Sequence, residues 1–190
     1  YEIIEQLGWK APKNIVVCMA SGSLLTKIYK SVKEFEDLGF IEPNDTKIFG
    51  AQASGCSPIS TAVKNKWDTF KPVKPNTIAK SLAIGNPADG INAINLLNSI
   101  NSYSEDVSDE EIVSAMKLLA ETEGIFTETA GGVTLASAKK LIEAGRIPRN
   151  ESIVLVITGN GLKTQDPLVN NITKPYIIEP KIEDFNKIFD

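Results

Sequence analysis

Ser152-Ile-Val-Leu-Val-Ile-Thr158-Gly-Asn-Gly161-Leu-Lys163 is an apolar, β-branched run that stops at a hydroxyl and then turns on two glycines. The pattern predicts a fully buried strand, and the C-terminal mouth of such a strand is where an open α/β sheet places ligands. Ile15-Val-Val-Cys-Met19 repeats the design: a short apolar strand, then Ala20-Ser-Gly-Ser23 as a small-residue turn, then a helical pattern from Leu24 to Leu38 with Gly39 at its end. Two such turns facing one crevice offer main-chain N–H groups to a phosphate on one side and a neutral hydroxyl to a ring on the other.

The same alternation continues between these segments. Thr46 to Gln52 reads as a second strand, and Pro58 suits the first turn of the helix that Ser54-Gly-Cys-Ser opens. Pro72 to Pro75 is a loop leading into an expected strand, Ile78 to Ile84, which turns at Gly85-Asn-Pro87; Gly90 to Ser99 is a helix. Ser104 to Asp106 reads as a polar loop. Ser108-Asp-Glu-Glu111 is a capping box, and Ile112, Met116 and Leu119 continue its helix on one face until Gly124 stops it. Gly124 to Thr127 is expected as a short strand and Val133 to Ala144 as a further helix. Strands alternating with helices predict an α/β fold, a mostly parallel, doubly wound sheet with helices on both faces. Residues 1–169 form the domain portion, and 170–190 a tail that packs on it.

Composition narrows the chemistry. With 190 residues and 42% hydrophobic side chains, the chain folds around a core without staples. A net charge of −4, with Lys and Arg scattered, argues against nucleic acid as a partner. No apolar stretch is long enough to span a bilayer, so a membrane is no partner and a cytoplasmic protein is expected. The absence of histidine removes Ser-His-Asp and Cys-His nucleophile pairs and the usual ligand of zinc and iron sites, so no metal is expected. Cys18 and Cys56 lack metal or redox spacing and read as buried or turn-lining thiols. A dinucleotide fingerprint is also missing, because the first turn holds only Gly22 and the second strand ends at Gln52 rather than at an acidic residue. The chain begins at Tyr1 within a helical pattern and reads as a piece of something longer.

Taken in order, Tyr1-Glu-Ile-Ile-Glu-Gln-Leu-Gly-Trp9, the turn at Ala20 to Ser23, Ile84-Gly-Asn-Pro87, Glu123-Gly-Ile-Phe-Thr-Glu128 and Thr158-Gly-Asn-Gly-Leu-Lys163 resemble the C-terminal half of threonine synthases. Those enzymes belong to the tryptophan-synthase-β-like, fold type II group of pyridoxal-phosphate enzymes. The resemblance implies pyridoxal 5'-phosphate as cofactor, with Ala20, Ser21, Gly22 and Ser23 matching the loop whose amides hold its phosphate. Thr158 matches the hydroxyl residue at the pyridine nitrogen, and Gly85, Asn86 and Glu128 would line the cofactor face. A hydroxyl partner, unlike an aspartate, does not force protonation of that nitrogen.

The implied reaction is replacement of the phosphate of O-phosphohomoserine by water, giving threonine and phosphate, with a lysine as Schiff-base partner and proton shuttle. In the family that lysine lies in a Phe-Lys motif of the N-terminal half, and this chain is read as carrying no such motif. The catalytic set of this chain is therefore empty: Lys27 and Lys30 fall in a helix, Lys80 in a strand, and Lys163 in a different motif near the site, each read as a surface charge. The chain alone is expected to be inactive, with the N-terminal half of the enzyme as its partner and a homodimer as its assembly. A threonine dehydratase or cysteine synthase type of the same fold is the nearest alternative, and a non-catalytic phosphate-ligand binding module is the alternative of a different class.

Overall fold

The computed structural model describes residues 1–169, 171–172 and 175–188. A short helix α1 (Glu2–Gln6) leads into strand β1 (Asn14–Cys18), helix α2 (Ser23–Asp37) and strand β2 (Lys47–Ala53). Helices α3 (Pro58–Lys64) and α4 (Gly90–Ser99) precede strand β3 (Ser104–Val107); helices α5 (Asp109–Glu123) and α6 (Thr129–Glu143) precede strand β4 (Ile153–Leu155). Two short helices, α7 (Asp166–Val169) and α8 (Ile182–Asn186), follow. In the tail, Asn170, Thr173, Lys174, Phe189 and Asp190 lie outside the described residues, and Tyr176, Ile177 and Ile182 are exposed.

The four strands are parallel in the order β3-β2-β1-β4, which is the doubly wound arrangement the alternating pattern predicts. Successive strand side chains point to opposite faces. Ile15, Val17 and Ile48 meet Leu25, Val32, Ile59, Ile94 and Leu97 from α2, α3 and α4 on one face. Val16, Cys18, Phe49 and Ala51 meet Ile112, Met116, Val133 and Leu141 from α5 and α6 on the other. From β1 the chain winds outward through β2 to β3; α5 and α6 then carry it across the opposite face to β4, on the far side of β1. The winding thus reverses between β1 and β4, and in open α/β sheets ligands bind outside the carboxyl ends of the strands at that reversal.

Four local expectations are corrected. β4 is half-buried, not fully buried: Ile153 and Leu155 pack on one core, Val154 and Val156 on the other, but β1 is its only strand neighbour among the described residues. Ser104 to Asp106 is strand, not loop. As the edge strand beyond β2 it satisfies its polar side chains laterally, with Ser104 Oγ 2.7 Å from Ser60 Oγ and 3.1 Å from the Gly50 carbonyl it donates to. Ile78 to Ile84 holds a 3-10 turn at Lys80–Leu82 in place of a strand, because the buried pair Ala79 and Leu82 recurs at a spacing of three. Gly124 to Thr127 makes only a single bridge, Thr127 to Asn160, and α6 begins at Thr129, four residues earlier than expected, through two glycines that let it approach Thr127 and Ile112.

The β3 edge also carries a pH-dependent tie. Lys64 pairs with both Glu105 and Asp106. Burial works to raise the Asp106 carboxyl, but the Lys64 ammonium, the Ser54 hydroxyl and Lys140 outweigh it and leave Asp106 below the usual carboxylate range. A carboxyl lowered on folding stabilises above its unfolded value, near pH 4, and that stability is lost as pH falls through the folded value. Asp106→Asn is therefore expected to lower the thermal midpoint at pH 7 and to flatten its decline below about pH 4, read from melts across pH.

Candidate active site

β1 ends at Cys18, and Met19 to Gly22 turn the chain into α2. Gly22 is the N-cap, at φ +94° and ψ −17°, and no side chain caps the helix. In that left-handed conformation a Cβ is strained, and here it would also lie 3.0 Å from the Asp89 carbonyl oxygen and 3.1 Å from Ala93 Cβ. The first-turn N–H groups of a helix lack intrahelical acceptors and, with the helix dipole, favour an anion. Ser21 and Ser23 flank this point, and Ser21 Oγ accepts a long bond of 3.4 Å from the Ser23 N–H.

Asp89 is a neighbour that the sequence disguised. It stands just before α4, where it reads as an ordinary cap, yet its side chain caps nothing there. Its N–H donates to the Ser21 carbonyl at 2.9 Å, and its carboxylate takes the Ser23 hydroxyl and, at 3.0 Å, the Asn92 amide. These two donors, Ser23 first, hold the Asp89 carboxyl below its ordinary range. Gly85 and Asn86 lie on the segment that leads to Asp89. Asn86 is exposed, whereas Gly85 has a packing reason of its own: a Cβ there would fall 1.7 Å from the Val73 carbonyl oxygen.

On the neighbouring strand, Thr158 stands just beyond β4, exposed, with its Oγ1 3.8 Å from the Cys18 sulfur. The ends of β1 and β4 are thereby brought together as the two strand-turn patterns predict. Burial first, and the Glu128 charge after it, push the Cys18 thiol up, so it stays neutral. Glu128 is the N-cap residue of α6 and is buried, although nothing in its sequence context separates it from a solvated cap. Its N–H donates to the Gly159 carbonyl at 3.0 Å, and its Oε1 accepts from Thr158 Oγ1 at 3.5 Å. The close approach explains Gly159, where a Cβ would lie 2.3 Å from Glu128 Oε1. Lys163 Nζ lies 3.2 Å from Glu128 Oε2, so Lys163 is an ion-pair partner and not a free surface charge. That pair meets by distance alone, since Oε2 has no aligned hydrogen bond.

The reading that no Phe-Lys motif occurs is corrected: the chain contains one such dipeptide, Phe70-Lys71, in the loop after α3. The Phe70 ring fills the space in front of Gly90, and the exposed Lys71 places its ammonium 5.0 Å from the Trp67 ring centroid. The lysine that the structure brings to Thr158 is Lys163, through Glu128. Among the described residues no group of three or more Cys, Asp or Glu side chains is placed to hold a metal ion, and no helix is long and apolar enough to cross a membrane.

A turn able to hold an anion and a hydroxyl able to meet a ring nitrogen, on adjacent parallel strands at the reversal of the winding, fit a phosphorylated pyridine cofactor. Comparison with known proteins agrees. The chain is 41% identical over 180 residues to the threonine synthase of Methanocaldococcus jannaschii, covering 94% of this chain and 44% of that protein. It is 35% identical to the threonine synthase of Methanosarcina acetivorans, covering 96% of this chain and 45% of the relative. The chain thus spans about half the length of the curated relatives it matches. In fold it is similar to maize serine racemase, with a TM-score of 0.63 at 21% identity over 84% of this chain and 45% of that one. It is also similar to a fungal L-serine ammonia-lyase from Rhizomucor miehei, with a TM-score of 0.63 at 21% identity over 87% and 52% of the two chains. A family model described as pyridoxal-phosphate dependent enzyme matches residues 1–159, from the first helix to the glycine that follows Thr158, and the chain belongs to that family.

Proposed function

We propose that this chain forms the phosphate-holding and ring-nitrogen side of a threonine synthase, which converts O-phosphohomoserine and water to threonine and phosphate. The observation that carries the reading is that the Gly22 turn and Thr158 follow the carboxyl ends of β1 and β4, adjacent parallel strands, with Thr158 against Cys18. When bound, pyridoxal phosphate supplies an electron sink for negative charge developing on the substrate. The main-chain N–H groups from Gly22 to the first turn of α2 would hold the phosphate, with Ser21 and Ser23 beside it. Thr158 would meet the pyridine nitrogen, and buried Glu128 would close the cofactor face behind it. The Schiff-base lysine, the contacts to the substrate phosphate and the remaining wall of the site belong to the rest of the protein in this reading, so this chain by itself is inactive. A cytoplasmic homodimer is part of the same proposal.

The test uses the full-length protein, assayed for phosphate release from O-phosphohomoserine. Thr158→Val keeps the side-chain shape but removes the hydroxyl. The loss of one hydrogen bond, about 0.5–1.5 kcal/mol, is expected to lower kcat roughly 2- to 10-fold while cofactor retention falls less. No phosphate release by the wild-type protein would refute the assigned reaction, and unchanged kinetics in the variant would reduce Thr158 to a strand end.

A further inference from the structure

Two helix starts meet at the Gly22 turn: α2 begins directly after Gly22, and α4 directly after Asp89. Asp89 fastens one to the other. Its N–H donates to the Ser21 carbonyl at 2.9 Å, its carboxylate accepts the Ser23 hydroxyl, and the Asn92 amide holds that carboxylate from α4 at 3.0 Å. Among the described residues no ammonium or guanidinium lies in ion-pair contact with it, and Lys27, one turn further along α2, acts on it through space. An ionised carboxylate only accepts, so the single proton of the Ser23 hydroxyl is committed to Asp89. Toward an anion at the turn Ser23 then offers its main-chain N–H alone. The carboxylate is also a fixed negative charge one hydrogen bond from the first residue of α2, inside the screening length of about 8–10 Å. A charge of that sign suits the helix dipole and opposes a second anion at the same helix start.

We propose that Asp89 is a positioning residue that lowers the affinity of the Gly22 turn for phosphate. It withholds the Ser23 hydroxyl and sets its own charge against the incoming anion, so that pyridoxal phosphate is held less tightly than the amide groups alone would hold it. This rests on the reading that the cofactor phosphate sits at that turn. Helix capping does not account for the residue, since its side chain caps nothing on α4.

Asp89→Asn in the full-length protein isolates the charge. The asparagine oxygen still accepts from Ser23, and Asn92 can turn its own amide oxygen to the new NH2 group. Titrated by absorbance at low salt, pyridoxal phosphate is expected to bind the variant about 2- to 5-fold more tightly than the wild type. The gain is expected to shrink as ionic strength rises. Pyridoxal, which lacks the phosphate, is expected to bind both proteins alike. A merely structural role would move the two ligands together and would not respond to salt. Should Asp89→Asn not fold, Asp89→Ser decides, since serine is equally suited to a helix start and is also neutral. Unchanged or weaker affinity for pyridoxal phosphate in a folded neutral variant overturns the inference, and so does an equal gain for pyridoxal. Gly22→Val measured alongside separates failure of the site from failure of this role. Wild-type affinity in folded Gly22→Val removes the phosphate from the turn, and the inference falls with it. Lost affinity there, with Asp89→Asn unmoved, leaves the site in place and overturns the role of Asp89.

Discussion

Gly22→Val, in the full-length protein, is expected to abolish pyridoxal-phosphate binding, whereas Ser21→Ala should bind it nearly as the wild type does. The contrast follows from what holds an anion at this turn. In the proposed site main-chain N–H groups hold the phosphate, so deleting a hydroxyl costs little, while displacing the backbone costs the whole arrangement. A β-branched residue at φ +94° is strained by about 1–3 kcal/mol before any contact is counted. Its Cβ must in addition push aside the Asp89 carbonyl oxygen, 3.0 Å away, and Ala93 Cβ, 3.1 Å away. Neither is the end of a flexible side chain, so α4 and the first turn of α2 move apart. Affinity is read from cofactor absorbance or fluorescence on titration, after circular dichroism and a melt have shown the variant folded. A folded Gly22→Val with wild-type affinity would place the phosphate elsewhere.

Gly85→Ala is the second large effect, and it is expected in stability. Gly85 has no left-handed torsion, so alanine meets no backbone strain there. It meets the Val73 carbonyl oxygen 1.7 Å from its Cβ, with Pro75 Cδ at 3.2 Å. Relief requires the 72–75 loop to shift, which breaks the bond from the Val73 N–H to the Gly85 carbonyl, 3.0 Å long. Overpacking of this kind costs about 1–3 kcal/mol and the lost hydrogen bond about 1 kcal/mol more. For a domain of this size that is a fall in thermal midpoint of roughly 5–15 °C. The same variant decides what Gly85 is for. Loss of stability with unchanged cofactor affinity per folded molecule assigns it to packing against Val73, and unchanged stability with weakened affinity assigns it to the cofactor face.

The helices and central strands are legible because their signals are local. Gly90 to Ser99 and the Ser108-Glu111 capping box stand where periodicity and cap chemistry put them, and β1 and β2 fall within a residue of their apolar runs. The edges are not. Ser104 to Asp106 resembles a loop because an edge strand places Glu105 and Asp106 against Lys64, and composition does not separate solvent from such a partner. The apolar run at 153–157 resembles a central strand because both its faces pack, and which strand ends the sheet is a property of topology.

At the site, Thr158 and the Ala20–Ser23 turn are visible in the sequence because each directly follows a strand, where a hydroxyl or a glycine has a restricted set of uses. Glu128, Asp89 and Lys163 are less so. Glu128 precedes a helix and Asp89 precedes another, which is where acidic residues sit for ordinary reasons, and Lys163 reads as a solvated charge.

By itself the sequence determined the α/β class, the two strand-turn segments and the residue types they present, because hydrophobic period, glycine and capping act over a few bonds. Only the tertiary structure decided that β4 lies beside β1 and not beside β3, which sets Thr158 against Cys18. It also decided that Glu128 is buried between Thr158 and Lys163. These contacts join residues 30 to 140 positions apart, and their direction depends on which groups lose water together, a quantity that no single segment carries.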